Sequence, residues 1–279
     1  MKKIILSIYV AALMLIIFNI DVKAQAVHEQ PRDGFYDKLY IEQKEPVSLP
    51  YVREADVLYS KRVWQRIDLR EKINQTLYYP TRPTDGRRSL TEILYSSIKE
   101  GSITAYDGFD DDFTQPITPE ELERHLGEER TMQTETGRDT TYFVEFSPED
   151  VTRLHVKEDW FFDSKRSVLD VRIIGICPLR ERFDSETGES IGYEPTFWIY
   201  FPEARPILIN EAVYNRHSDA HQVSYDDIFI RRMFNGFIYK ESNVHDRSIE
   251  EYYSGLDALL EAQRIHEEIR NFEHDLWEF

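Results

Sequence analysis

The stretch from Asp159 to Phe201 constrains the fold most. "DWFFDSKRSVLDVRIIGICPL" and, beyond it, "PTFWIYF" are dense in β-branched and aromatic residues, the composition of strands buried in a sheet. Between them, "RERFDSETGESIGYE" sets Thr187-Gly188 and Gly192 among apolar runs, which predicts an antiparallel hairpin with a longer loop. "TYFVEF" alternates with period two ahead of the block, "SPEDV" caps a turn or short helix, and "PILINEAVYN" reads as a further strand.

Helical signals flank this region. Ser89 and Glu92 form a capping box before Leu90, Ile93, Leu94 and Ile98, and Gly101 supplies a stop. Thr118 and Pro119 open a shorter helix that Gly127 closes. "READVLYSKRVWQRIDLREKIN" spaces Val57, Trp64, Ile67 and Ile73 as an amphipathic helix would. Ser224 and Asp227 cap a helix from about Tyr225 to Phe237. Ser248 and Glu251 start a long one whose stripe is Leu256, Leu259, Leu260, Ile265 and Ile269. Strands gathered in the middle with helices around them predict an α+β fold: a central antiparallel sheet, flanking amphipathic helices and an extended N-terminal arm.

The organisation expected is a signal peptide over residues 1–24, an extended or flexible arm over 25–50 and a single α+β domain over 51–279. Lys2 and Lys3 precede an apolar run from Ile4 to Ile20, followed by Ala24 and Ala26 as small residues at which a secretory signal is cut. The competing reading of that run is a retained anchor helix. No cysteine follows it, so no direct lipid anchor is expected there. The 52 acids against 34 bases give a formal charge of -18, which argues against a nucleic-acid role, because phosphate binding requires clustered Lys and Arg. One cysteine, Cys177, can form no internal disulfide, and its apolar neighbours Ile174, Ile176 and Leu179 suit a small buried hydrophobe.

Catalytic signatures are sparse. "RHSDAHQ" places His217 and His221 four apart with Asp219 nearby, but Ser218 stands where a zincin has Glu, and the segment reads as a connecting loop. An exported metal-binding protein or hydrolase using that segment is the alternative reading. "DGFDDDF", with Asp107, Asp110, Asp111 and Asp112, lacks EF-hand spacing and reads as an acidic surface turn. Phosphate loops and nucleophile elbows have no match here. No catalytic residue, metal or cofactor is expected.

What remains is material for interfaces: 17 Tyr, 16 Phe and 4 Trp. The stretch "FEHDLWEF", Phe272 to Phe279, sets three large aromatics among acids, and burying Trp277 or Phe279 would contribute about 1.5–3 kcal/mol each. Candidate contact residues are Trp277, Phe279 and Phe272 in this stretch, and Trp64, Tyr78 and Tyr79 near the start, each weighed against packing within the subunit's own core.

"VLYSKRVWQRIDLREKIN" followed by "LYYP", then "DWFFDSKRSVLDVRIIGI", "FWIYFPEARPIL", "YDDIFIRRMFNGFIYKESNV" and "GLDALLEAQRIHEEIRNFEHDLWEF", strongly resembles the GldN (PorN) family of gliding-motility and type IX secretion proteins, from about Val57 to Phe279. The resemblance implies a non-enzymatic periplasmic component, held at the outer membrane by a lipoprotein of the GldK or PorK kind and joined with it in a ring. It further implies contact with the periplasmic part of a GldM- or PorM-like motor protein. It supplies no catalytic residues.

Overall fold

The structure, a computed structural model, describes residues 44–84, 86–133, 139–184, 188–215 and 222–275. Its strands are β1 (Val57–Asp68), β2 (Ala105–Asp107), β3 (Pro116–Ile117), β4 (Glu128–Gln133), β5 (Asp139–Val144), β6 (Val151–Asp163), β7 (Val168–Phe183), β8 (Ser190–Pro195), β9 (Phe197–Tyr200), β10 (Ala212–Val213), β11 (Val223–Ser224) and β12 (Phe237–Glu241). The helices are α1 (Gln75–Tyr78), α2 (Leu90–Lys99), α3 (Pro119–Leu126), α4 (Phe201–Leu208), α5 (Tyr225–Ile230) and α6 (Leu256–Asp275). Eight strands form one antiparallel sheet in the order β12-β1-β6-β7-β9-β2-β3, with β8 pairing β7 outside that path. This is the α+β architecture the composition predicts.

The predicted helix over Val57–Ile73 is instead the strand β1, paired with β6 from Val57 opposite Asp163 to Asp68 opposite Arg153. The reason is visible in the parity of its residues. Past the irregularity between Val57 and Tyr59, residues Tyr59, Val63 and Ile67 all fall on odd positions, which a period of two sends to one face, whereas Trp64 on an even position faces the other way. Val63 and Ile67 accordingly join two cores on the helix-covered face, and Trp64 joins a third on the opposite face. A helical reading of Trp64 and Ile67 merged residues that the sheet separates.

Three further segments differ from expectation. "PILIN" belongs to α4 and the turn after it, with Leu208 fully buried and Ile207 packed against the core, and only Ala212–Val213 of the predicted strand is extended. The helix from Tyr225 stops at Ile230. Arg232 adopts φ 53, and Phe237–Glu241 emerges as β12 on the edge beside β1. The capping box of Ser248 and Glu251 closes only a short turn, because Gly255 at φ +59 breaks the path and α6 starts at Leu256. Caps elsewhere match the prediction. Ser89 accepts from the Glu92 backbone N–H, and Thr118 with Glu121 forms a reciprocal box. Gly127 closes α3 in an extended conformation, and the position has no room for a side chain, since a Cβ there would lie 1.9 Å from the Phe143 ring.

The largest core lies between the sheet and α2, α4 and α5, with Ile93, Leu94, Val156, Ile176, Phe197 and Phe229 inside. Val63, Ile238, Ala262, Ile265 and Ile269 form a second beneath α6. The third sits on the other face, where Trp64, Cys177 and Trp198 pack with Tyr106, Phe113 and Tyr239. Segment 44–50, the only described part of the predicted arm, is held through its backbone. Lys44 exchanges hydrogen bonds with the Asn210 side chain, Arg205 donates to the Val47 carbonyl at 2.9 Å, and Arg172 donates to that of Pro50 at 2.8 Å. Among the described residues, no helix is long and apolar enough to cross a membrane.

Candidate interaction site

The acidic turn between β2 and β3 folds over the aromatic core on the open face of the sheet. Lys157, 2% exposed, sends its Nζ to the Asp111 carbonyl at 2.6 Å and to Asp112 Oδ1 at 3.1 Å, between the Trp64 and Phe113 rings. A buried ammonium needs such partners, and the acidic turn supplies them. Trp64 Nε1 donates to Asp111 Oδ2 at 2.6 Å. The Asp110 carboxylate accepts from the Thr114 hydroxyl and from the Thr114 and Gln115 backbone, and these bonds hold it below the usual carboxylate range. The turn's carboxylates are thus engaged in fastening the turn. Among the described residues, no cluster of three or more His, Cys, Asp or Glu could hold a metal ion.

On the opposite face the neighbouring residue Glu158 is fully buried, accepting from Arg232 at 2.8 Å and from Trp160 Nε1 at 3.1 Å. Burial raises its carboxyl above the ordinary range, and the Arg232 charge opposes that shift.

The six predicted contact residues separate. Trp64 is buried and serves the subunit interior. Phe272 stacks on Tyr59 and meets Phe162 edge-on. Tyr78 packs against the main core with its hydroxyl donating to the Glu149 carbonyl at 2.9 Å. Tyr79, the next residue, is 52% exposed. Trp277 and Phe279 lie outside the described residues, as do His217, Asp219 and His221 of the alternative metal site.

Tyr79 faces a groove built from the end of β1 onward. Asn74 is fully buried, and its amide donates at 2.8 Å to the carbonyls of both Asp68 and Asn235 while its Oδ1 accepts from the Asn235 N–H. Those three bonds seat α1 against the sheet. Asn74 is therefore a structural asparagine. The groove, of about 360 Å³, is lined by Lys72, Gln75, Thr76, Tyr79 and Pro80 together with Thr84, Arg87 and Tyr214. The Arg87 guanidinium lies 5.8 Å from the Tyr214 ring centre. From Arg70 to Arg88 the sequence carries five bases against two acids, a basic island in a chain of charge -18.

A second exposed feature was hidden within the predicted stripe of the last helix. Ile265 and Ile269 are buried as expected, whereas Leu256, Leu259 and Leu260 are 70%, 56% and 55% exposed. Tyr252 and Tyr253 extend this apolar ridge, and Glu250, Asp257 and Glu261 flank it. A cleft of about 440 Å³ beside it is lined by Phe237, Ile249, Tyr253 and Leu259 among others. Contiguous exposed apolar surface with a polar rim marks an interaction site. Nothing in the sequence distinguished the two halves of the stripe, because the break at Gly255 and the short reach of β12 decide which leucines the sheet can cover.

Comparison with known proteins adds one finding. The family model described as "Gliding motility associated protein GldN" matches residues 52–278, from just before β1 to beyond the last described turn of α6. No curated protein matches the chain.

Proposed function

This chain belongs to the GldN family of gliding-motility and type IX secretion components, and from that membership we propose that it is a non-enzymatic periplasmic scaffold. Its partners in this reading are an outer-membrane lipoprotein of the GldK or PorK kind, with which it assembles into a ring, and the periplasmic part of a GldM- or PorM-like motor protein. The observation that carries the reading is the ridge of Leu256, Leu259 and Leu260, three leucines that the subunit's own core leaves more than half exposed. Interface centres favour apolar and aromatic anchors ringed by polar residues, which is the composition found there.

The test is co-assembly. Mixing the purified chain with the lipoprotein should give a heavy species by sedimentation, and the double variant L259D/L260D should abolish it while leaving the melting transition of the free chain in place. Heavy assemblies that form undiminished with the double variant would remove the ridge from the interface. A chain that forms no assembly with any envelope lipoprotein would sink the scaffold reading.

A further inference from the structure

We propose that the groove between Tyr79 and Tyr214 receives the segment Glu273–Phe279 of a second copy of this chain. The inference rests on the assembly reading and names one of its contacts. The chemistry of the two surfaces is complementary. The segment brings Trp277 and Phe279 as apolar anchors and Glu273, Asp275 and Glu278 as anions. The groove offers the half-exposed faces of Tyr79 and Tyr214 with Pro80 between α1 and the turn, flanked by Lys72 and Arg87. Neither Lys72 nor Arg87 forms an ion pair among the described residues, whereas Arg70 and Arg88 on the same stretch are paired with Asp68 and Glu211. In a protein with an excess of acids, two cations left without carboxylates beside a pair of aromatic walls select an acidic, aromatic peptide. At about 360 Å³ the groove is at the low end of ligand-pocket sizes, roughly 300–1,000 Å³, and fits a few side chains better than a helix face.

A neighbouring copy must supply the segment because the groove is out of reach of its own. Phe272 packs on Tyr59, near the start of β1, and α6 runs toward that end from its own start, where Gly255, Ala258 and Leu259 line a cleft with Phe237, the partner of Arg66. The groove begins past Asp68, nine residues and about 30 Å further along β1. Residues Leu276–Phe279 span at most about 14 Å when fully extended. A contact made between different surfaces of successive copies is heterologous and propagates in one direction, closing into a ring where the rotation between copies allows.

The experiment uses a fluorescent peptide of residues 271–279 titrated onto the full chain carrying W277A/F279A, so that no intact segment competes. Saturable binding is expected, weakened about tenfold by R87E and again by K72E, and diminished by added salt. The charge-reversed peptide D275K/E278K should bind the K72E/R87E chain better than the natural peptide does. In mixtures, a chain lacking only the groove charges and a chain lacking only the segment's aromatics should combine as a dimer and go no further. Should R87E fail to fold, the salt titration on the unaltered groove carries the test. Absent binding, binding indifferent to salt and to R87E, or displacement by a peptide of residues 25–43 would overturn the proposal. Because the lipoprotein takes no part here, intact co-assembly alongside a failed titration discards this contact and leaves the scaffold reading standing.

Discussion

The rings of Phe272 and Tyr59 stack with centroids 4.2 Å apart and an interplanar angle of 23°, joining the last turns of α6 to the start of β1. Phe162 on β6 adds an edge-on contact at 6.3 Å. This stack holds the last described turns of α6 against the sheet. Phe272→Ala should lower unfolding stability by about 1–3 kcal/mol, less than a fully buried phenylalanine would cost because Phe272 is half-buried. Chemical denaturation measures it. An unchanged midpoint would show that the stack contributes nothing to holding α6 down.

Gly175 lies under the acidic turn, where a Cβ would come 2.5 Å from Phe113 Cζ and 2.9 Å from the Ile199 carbonyl oxygen. Gly175→Ala must push Phe113 away from Tyr106 and Trp198 and loosen the cap over Lys157. The expected loss is about 1–3 kcal/mol. Trp64 fluorescence should shift to the red as water enters, and an unshifted spectrum would contradict the packing described.

Acidification should act through His155. Its ring stacks on Tyr239 and accepts from Arg66 Nε at 3.3 Å, and burial followed by the charges of Arg66 and Arg153 holds its pKa well below 6.5. A base whose folded pKa is depressed contributes stability that is present above its unfolded value and lost as pH falls below about 6.5. Glu158 has the opposite sign. Its raised pKa favours the folded state below about 4.5 and costs stability as pH climbs through the folded value. Unfolding free energy measured between pH 8 and 6, above the ordinary carboxylate range, should fall through His155 by at most about 1.4 kcal/mol per pH unit, and His155→Gln should remove that part of the decline. A variant with the same slope as the parent would exclude His155.

Cys177 should be inert in the folded chain. The thiol is completely buried between Trp64 and Trp198, and burial pushes its pKa far up. Thiolate is the reactive form, so an aromatic disulfide reagent should label the chain only as it unfolds, at the rate of global opening. Rapid labelling under native conditions would mean the third core opens locally.

Much of this architecture was readable from residue patterns, and the misreadings share a cause. The caps at Ser89 and Thr118 announce their helices because the capping interactions are local, between residues three apart. The β6–β7 ladder declares itself through dense clusters of aromatic and β-branched residues, Trp160-Phe161-Phe162 on one strand and Val171, Ile173, Ile174 and Ile176 on the other. β1 and β12 do not, since polar residues such as Lys61, Arg62, Gln65 and Lys240 interrupt them and find partners only across the folded sheet: Lys61 with Glu241, Arg62 with Asp159. The candidate site divides the same way. Tyr79 could be named as an aromatic worth attention, but its exposure depends on Asn74 binding two carbonyls, one of them 161 positions away. The leucine ridge needed the position of β12.

The four side-chain bonds that hold Lys44, Val47 and Pro50 all reach main-chain atoms. This seat is blind to what side chains the strap carries, so Glu45, Val47, Ser48 and Leu49 are free to drift in identity while the strap stays moored. Arg205 couples the mooring to the interior, for the same guanidinium clasps Asp226 at 2.8 Å. Tension arriving through the residues ahead of Lys44 would be borne by that clasp and shared between α4 and α5, and no sheet edge would be peeled.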